Sequence, residues 1–137
     1  MIIINENIDV VDYLNLSDVL CLPYKSIIAT EGNPSCMLEA MACKTPVITT
    51  NLPEIREIVD DEKDVLMANP GDPVSLSAKI ILMLQDLELQ KKLVKNAYEK
   101  SKNYDLKIIT KQFLDFYNEI SLKRTLGRKG RKRIKFT

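Results

Sequence analysis

The sequence has no histidine and no tryptophan, and only four of its 137 residues are glycine. Without histidine, these residues cannot form a Ser-His-Asp triad, a Cys-His pair or a histidine metal site. The three cysteines, Cys21, Cys36 and Cys43, lie in apolar segments without the C-x-x-C spacing of metal or redox sites, which predicts reduced core thiols. Proton transfer would therefore depend on carboxylates or on a partner.

Long apolar runs are also absent from the sequence. No stretch reaches the ~18 consecutive apolar residues of a membrane span. The start, Met-Ile-Ile-Ile-Asn, lacks the basic region and the long apolar core of a signal peptide. The expectation from these absences is a cytoplasmic protein, with enough chain for one domain that folds without disulfides or zinc.

The formal net charge of +1 hides two opposed regions. No acidic residue follows Glu119, whereas residues 123–137 carry eight basic ones. Residues 1–120 hold the remaining 12 basic residues against 19 acidic ones, a charge of −7. We therefore predict a folded, acidic domain over residues 1–122 and a flexible basic tail over 123–137 that contains Gly127 and Gly130.

The predicted tail suits an anionic partner. At about 1 kcal/mol per basic residue near anionic lipid, it could hold the protein at the cytosolic face of a membrane, with Ile134 and Phe136 adding a shallow apolar contact. Nucleic acid is disfavoured as a partner because Phe136 alone places an aromatic ring among the basic residues. A solvated tail without a partner is the alternative.

Strand and helix patterns alternate along the chain. Continuous apolar runs predict strands that are covered on both faces, and apolar residues at helical spacing predict helices. This alternation indicates an α/β fold with a parallel sheet, followed by C-terminal helices. Strands are predicted at residues 2–4, 18–22, 46–50 and 65–68, and helices at 10–16, from 35, at 53–59, from 73, at 87–101 and at 105–122.

Two helix starts carry specific signals. Ser35 is expected to cap the helix that follows it. Asp72 is expected to cap another helix that has Pro73 at its first position, where the missing N–H costs nothing. The apolar face of this second helix is predicted to consist of Leu76, Ile80, Met83 and Leu84.

Two glutamates frame the most informative segment, Glu31-Gly-Asn-Pro-Ser-Cys-Met-Leu-Glu39. Glu31 lies in a predicted loop, and Glu39 lies one turn inside the helix that follows. The N-terminus of such a helix points at the carboxyl edge of a parallel sheet, where free N–H groups can receive a phosphate. A carboxylate can accept from two adjacent hydroxyls, which suits Glu39 to a ribose diol and Glu31 to sugar hydroxyls.

The larger string adds Leu-Glu-Ala-Met-Ala-Cys, Thr-Pro-Val-Ile-Thr-Thr and Glu-Ile-Arg-Glu-Ile-Val to this segment. From residue 8 to about 120 it resembles the C-terminal, donor-binding domain of family 4 glycosyltransferases, which are retaining enzymes of the GT-B fold. The resemblance implies a partial Rossmann-like sheet that binds a nucleotide-diphosphate sugar as donor substrate, with no cofactor and no metal. It also implies retaining transfer of a glycosyl group to an acceptor.

The resemblance also assigns site residues. It places Glu31 at the transferred sugar, as the candidate catalytic residue, and Glu39 at the ribose of the nucleotide. The intervening backbone would approach the diphosphate or the sugar, and this stretch comprises Gly32, Asn33, Pro34, Ser35 and Cys36.

The chain departs from the family pattern in several places. Asn51-Leu52 replaces a common glycine pair, and Glu62 and Val65 stand where glycines are usual. Asp60-Asp61-Glu62 is interpreted as a polar turn because its spacing does not let ligands converge on a metal. The first two strands of the donor domain and the whole N-terminal domain have no counterpart. We therefore expect the chain to be inactive alone, either as a fragment or truncated gene product or as one subunit of a split enzyme that a partner chain with an acceptor domain would complete. The alternative is a non-catalytic remnant that binds a partner or a membrane surface.

Overall fold

The computed structural model describes residues 9–26 and 34–129 of the chain, with side chains through residue 123. The chain divides into two compact units, Met1–Lys102 and Asn103–Thr137. The predicted strand at residues 2–4 lies outside the described residues. None of the described helices combines the length and apolar character needed to cross a bilayer.

The first unit has an α/β architecture, which confirms the predicted fold class. In chain order its elements are α1 (Val10–Leu16), β1 (Leu20–Cys21), α2 (Ser35–Cys43), β2 (Val47–Thr50), α3 (Pro53–Ile58), β3 (Leu66–Ala68), α4 (Pro73–Gln85) and α5 (Leu87–Ser101). The helix α1 begins after Asp9, whose carboxylate accepts from the N–H of Val11 at 3.0 Å. A short 3₁₀ helix over Lys102–Tyr104 follows α5.

The three described strands form a parallel sheet in the order β1-β2-β3. Leu20 lies beside Val47, and Ile48 lies beside both Cys21 and Leu66. All four residues of β2 and all three of β3 are buried, as the continuous apolar runs predicted for strands that are covered on both faces. Because the strands are parallel, their carboxyl ends meet at one edge of the sheet.

The main core cluster lies where the sheet meets α4 and α5. Ile48, Leu66, Met83 and Leu93 are its buried members. Leu76 and Ile80 pack against them as predicted, but Leu84 is 46% exposed, so its assignment to the core face was wrong. The helix α4 turns Met83 inward and leaves the next residue toward water.

Caps explain most of the helix starts in this unit. The Asp72 carboxylate accepts from the N–H groups of Val74 and Ser75, both at 3.0 Å, and Pro73 begins α4, which confirms the predicted cap. Ser35 is not a cap, because it is already the first residue of α2. Pro34 takes the N-cap position with an extended backbone and cannot offer a side-chain acceptor.

The second unit consists mainly of α6 (Leu106–Lys129). The helix was predicted over 105–122, and it continues to Lys129, into the segment 123–137 for which a flexible tail was predicted. Along the predicted apolar side, Ile109 is half-buried, whereas Leu106, Phe113 and Ile120 are exposed. The rings of Phe116 and Tyr117 meet edge to face, with their centroids 6.3 Å apart.

Candidate functional site

The carboxyl edge of the sheet gathers residues from three separate parts of the chain. Pro23 to Lys25 follow β1, Asn51 follows β2, and Asn69 to Asp72 follow β3. Loops at this edge of an open parallel sheet form the usual ligand-binding crevice of α/β proteins. The sequence-predicted site residues are therefore expected at this edge.

The helix α2 has an N-terminus without a side-chain cap. Its first residues, Ser35 and Cys36, are exposed and half-buried, and no side chain of the described residues bonds to their N–H groups. The N–H of Met37 turns back to the carbonyl of Pro34 at 3.0 Å. Free N–H groups and the positive end of the helix dipole together favour an anion at this position.

Glu39 lies one turn inside α2 and is exposed. Among the described residues its carboxylate forms no ion pair and no hydrogen bond, so none of them occupies its acceptor sites. Other residues of α2, namely Met37, Ala40 and Met41, are fully buried. The helix thus anchors one face in the core and leaves the Glu39 carboxylate in solvent.

Tyr24 lies beside the first turn of α2, and the sequence reasoning did not single it out. Its hydroxyl lies 3.9 Å from Cys36 Sγ and ties the end of β1 to the first turn of α2. Burial, followed by this hydrogen bond and by the Cys36 charge, raises the pKa of Tyr24 to about 12. The only sequence signal was an aromatic residue directly after the Leu-Pro that ends an apolar strand.

The remaining predicted residues divide into two groups. Pro34, Ser35, Cys36 and Glu39 lie together on α2 and its cap, whereas Glu31, Gly32 and Asn33 lie outside the described residues. Lys25 is exposed at the carboxyl edge, and it pairs with no acidic side chain in the described part of the chain. All three cysteines are free, and burial raises the pKa of the Cys21 thiol.

The acidic turn, residues Asp60 to Asp64, lies between α3 and β3 and keeps its carboxylates occupied. Asp60 accepts from Lys63 and Lys100, both at 3.1 Å, and these bonds hold its pKa below the usual range. Asp61 accepts from the N–H of Met67 at 2.7 Å. Over the described ranges, no group of three or more Asp, Glu, Cys or His residues is arranged to hold a metal ion.

Two further residues complete this turn. Asp64 is buried, bonds to Lys100 and accepts from the N–H of Asp60 at 3.0 Å. Burial works against the charge of Lys100, but the bonds to Asp64 and Asp60 outweigh it and raise its pKa. Glu62 stands where the resembled family has a turn glycine, and it adopts the left-handed backbone (φ 57°) that glycine favours.

Comparison with known proteins places these features in a family. The model of the family described as "Glycosyl transferases group 1" matches residues 2–100. The chain belongs to this family. The matched span contains the two glutamate positions and α2. The chain represents the C-terminal, donor-binding domain of a GT-B protein of this family.

The relatives agree with this membership. The chain is 34% identical over 113 residues to N,N'-diacetylbacillosaminyl-diphospho-undecaprenol alpha-1,3-N-acetylgalactosaminyltransferase of Campylobacter jejuni. The aligned segment covers 82% of this chain and 29% of that protein. The structure of Anabaena HepE in complex with UDP-glucose matches with a TM-score of 0.72 and 20% identity, over 82% of this chain and 30% of that one.

A third match locates the chain within such proteins. The C-terminal domain of the group 1 glycosyl transferase LpcC from Francisella tularensis matches with a TM-score of 0.65 and 22% identity, over 77% of this chain and 53% of that one. The match to the Campylobacter relative spans about 29% of the length of that protein. The two structural matches show the shared fold.

Proposed function

We propose that this chain is the donor-binding part of a retaining glycosyltransferase and that it binds a nucleotide-diphosphate sugar at the N-terminus of α2. The observation that carries the proposal is the pairing of an uncapped, nine-residue helix with an exposed carboxylate one turn inside it. Because Glu39 lies one turn from the start of α2, one nucleotide could place its diphosphate at the helix N-terminus and its ribose diol at Glu39. The glycosyl group would be transferred to an acceptor in a cleft completed by another domain.

The diphosphate would lie at the first turn of α2. The N–H groups there have no side-chain acceptor within residues 9–26 and 34–123, and the helix dipole adds roughly half a positive charge at the same end. Ser35 is exposed and can donate its hydroxyl to a phosphate oxygen. Lys25 is exposed at the carboxyl edge of the sheet, pairs with no acidic side chain in the described part of the chain and is available for a charged contact.

Glu39 would bind the ribose. Its carboxylate is free among the described side chains and can accept from the 2′ and 3′ hydroxyls together. By resemblance to the family, Glu31 would contact the transferred sugar, and the backbone of Gly32 and Asn33 would approach it. No metal is part of the proposal, because α2 and Lys25 offset the diphosphate charge.

The printed descriptions of two similar proteins support the ligand class. HepE was crystallised with UDP-glucose, and the Campylobacter relative is an N-acetylgalactosaminyltransferase whose acceptor is linked to undecaprenol. A lipid-linked acceptor would bring the chain to the cytoplasmic face of a membrane. The eight basic residues of 123–137 would then contact anionic headgroups.

Isothermal titration calorimetry tests the donor site. The chain is titrated with UDP, GDP and UDP-glucose, and at least one is expected to bind. Glu39→Gln should weaken nucleotide binding about tenfold, because a hydrogen bond to a charged group contributes about 1.5 kcal/mol or more. Glu57→Gln is the matched control, since Glu57 is an exposed glutamate on α3.

The outcomes separate the proposal from its alternative. If no nucleotide binds the chain, alone or mixed with an acceptor domain of the family, the donor-site proposal fails. The chain would then be a non-catalytic remnant that binds a partner or a membrane surface. If nucleotide binds but Glu39→Gln and Glu57→Gln behave alike, the ribose assignment of Glu39 fails.

A further inference from the structure

An open groove of about 390 Å³ lies between the C-terminal end of α2 and α5, within the first unit. Its wall combines the C-cap residue of α2 with five residues of α5, in chain order Lys44, Lys91, Val94, Lys95, Tyr98 and Glu99. The five residues of α5 recur at helical spacing, so they form one continuous face of that helix. The volume is within the roughly 300–1,000 Å³ of sites for small ligands.

The groove is separate from the proposed donor site. Lys44 follows the last turn of α2, whereas the proposed position of the diphosphate is at the first turn of the same helix. A helix of this length, nine residues, spans about 13 Å. A phosphate group at one end of α2 therefore does not contact the residues at the other end, and the inference below does not rest on the proposed function.

The positive charge of the groove is not balanced by acidic side chains. Lys44 and Lys95 form no ion pair with any described residue, whereas Lys91 is paired with an exposed glutamate at 2.8 Å. Glu99 adds a carboxylate to the wall, but both of its oxygens already accept from Lys102 at 2.7 Å. Because like charges that lie close together repel each other, a bound anion would be stabilised here.

Tyr98 keeps two ammonium groups close together. Its half-buried ring has the Nζ atoms of Lys44 and Lys102 each 4.7 Å from the centroid, so these atoms are at most twice 4.7 Å apart. The cation–π contact restricts the Lys44 side chain before a ligand arrives, which lowers the entropy lost on binding. The Tyr98 hydroxyl forms no hydrogen bond with another described residue, and it can donate to a ligand.

The donors of the groove favour a phosphate group over a carboxylate. Each lysine ammonium donates up to three hydrogen bonds, and the Tyr98 hydroxyl donates one. A terminal phosphate offers three strong acceptor oxygens and close to two negative charges, whereas a carboxylate offers two oxygens and one charge. Val94 and the Tyr98 ring add apolar surface beside the cations. This combination suits a phosphate that is attached to a small organic group.

We propose that this groove is a second anion site, which binds a phosphate monoester or a diphosphate through Lys44, Lys95 and the Tyr98 hydroxyl. Soluble phosphate esters and the headgroups of anionic lipids both present this chemistry, and the experiment below distinguishes them. Since the lysines are exposed, a Kd on the order of 1 mM is expected in about 50 mM KCl. Raising the salt concentration should weaken the binding, because the charges are then screened.

Amide NMR of the full chain tests the groove, with inorganic pyrophosphate, dihexanoyl phosphatidate and hexaglutamate as probes at constant ionic strength. Pyrophosphate or phosphatidate should shift the amides of Lys44 and Tyr98 saturably, and the tighter of the two identifies a soluble or a lipid source. Lys95→Gln should weaken this binding about fivefold, the upper end for an exposed ion pair. Lys92→Gln is the matched control, because Lys92 is an exposed lysine of α5 outside the groove wall, and it should keep the affinity within about twofold.

Three outcomes would overturn the inference. The first is the absence of a saturable shift at Lys44 and Tyr98 up to roughly tenfold above the expected Kd. The second is equal weakening by Lys95→Gln and Lys92→Gln, which would reflect the general surface charge. The third is tighter binding of hexaglutamate than of either phosphate probe, which would indicate an acidic protein as partner. Pyrophosphate shifts confined to Ser35 and Cys36 would leave the donor proposal standing and remove this one.

Discussion

The acidic turn and the carboxyl edge of the sheet use similar polar residues but differ in what those residues contact. In the acidic turn, Asp60 and Asp64 are held by Lys100, and Asp61 is held by a backbone N–H. At the carboxyl edge, Glu39 has no partner among the described residues, and Thr50 Oγ1 is buried without one. The difference separates polar groups that are paired within the fold from polar groups that have no partner among the described residues.

Removing the Asp64 carboxylate should have the largest effect, and the effect should fall on stability alone. Asp64→Ala leaves Lys100 without its buried partner and the N–H of Asp60 without an acceptor. The free energy of unfolding should fall by about 3 kcal/mol, at the low end for a broken buried pair because Lys100 is partly exposed. Urea denaturation measures the change.

An exposed pair provides the control for Asp64. Glu88→Ala breaks the bond to Lys91, in which both side chains are exposed, and it should change stability by less than about 0.5 kcal/mol. Nucleotide affinity should be unchanged in both variants. A loss of affinity in Asp64→Ala would mean that the turn belongs to the ligand site.

The gain in stability on adding nucleotide should also distinguish the acidic turn from the carboxyl edge. At about 100 times its Kd, the nucleotide raises the free energy of unfolding by about 2.7 kcal/mol. The wild type and Asp64→Ala should gain equally, although they start from different stabilities. Glu39→Gln should gain only about 1.4 kcal/mol at the same concentration if its Kd is about tenfold weaker, and equal gains in all three proteins would contradict the division.

Salt should affect the pKa of Asp60, in the acidic turn, differently from that of Asp72, at the carboxyl edge of the sheet. Side-chain bonds to Lys63 and Lys100 lower the pKa of Asp60. The pKa of Asp72 is lowered first by the backbone N–H of Ser75, with burial opposing this and Asn69 and the N–H of Val74 adding to it. In 1 M KCl, where the screening length is about 3 Å, the pKa of Asp60 should rise, whereas that of Asp72 should hold.

The pH dependence of stability follows from the direction of these shifts. Both aspartates have lower pKa values in the folded chain than in the unfolded one, so their stabilising contribution is fully present above the unfolded value of about 4. It is lost as the pH falls through the lowered folded values. Carboxyl-carbon NMR titrations at low and high salt measure both groups, and a parallel rise of the two pKa values would contradict the assigned causes.

Local signals made much of the fold predictable. The spacing of apolar residues predicted α1 and α5 with the bounds that the structure has, and Asp72 with Pro73 predicted the start of α4. Chemistry within one turn decides such features, so neighbouring residues suffice to identify them. The Ser35 prediction failed because Pro34, with φ −67° and an extended backbone, already occupies the cap position.

Contacts between distant residues were not predictable from the sequence. Lys100 reaches Asp64 across 36 positions, and the Thr45 hydroxyl reaches the carbonyl of Leu14 across 31 positions. Nothing local distinguishes Thr50, whose Oγ1 lacks a partner among the described atoms, from Thr49, which has one, because only the packing of neighbouring elements decides it. The features that the sequence reasoning missed are therefore the ones that depend on how distant parts of the chain assemble.

Tyr24 offers the smallest and most local test of the carboxyl edge. Cys36→Ala removes the hydrogen bond to the Tyr24 hydroxyl but not the burial, which is the larger cause of the raised pKa. The pKa of Tyr24 should therefore fall from about 12 yet stay above the usual value near 10. A Tyr Cζ NMR titration resolves it, with Cys43→Ala as the control at the other end of α2. If Cys43→Ala lowers the pKa as much as Cys36→Ala does, the tie between β1 and the first turn of α2 is not what raises it.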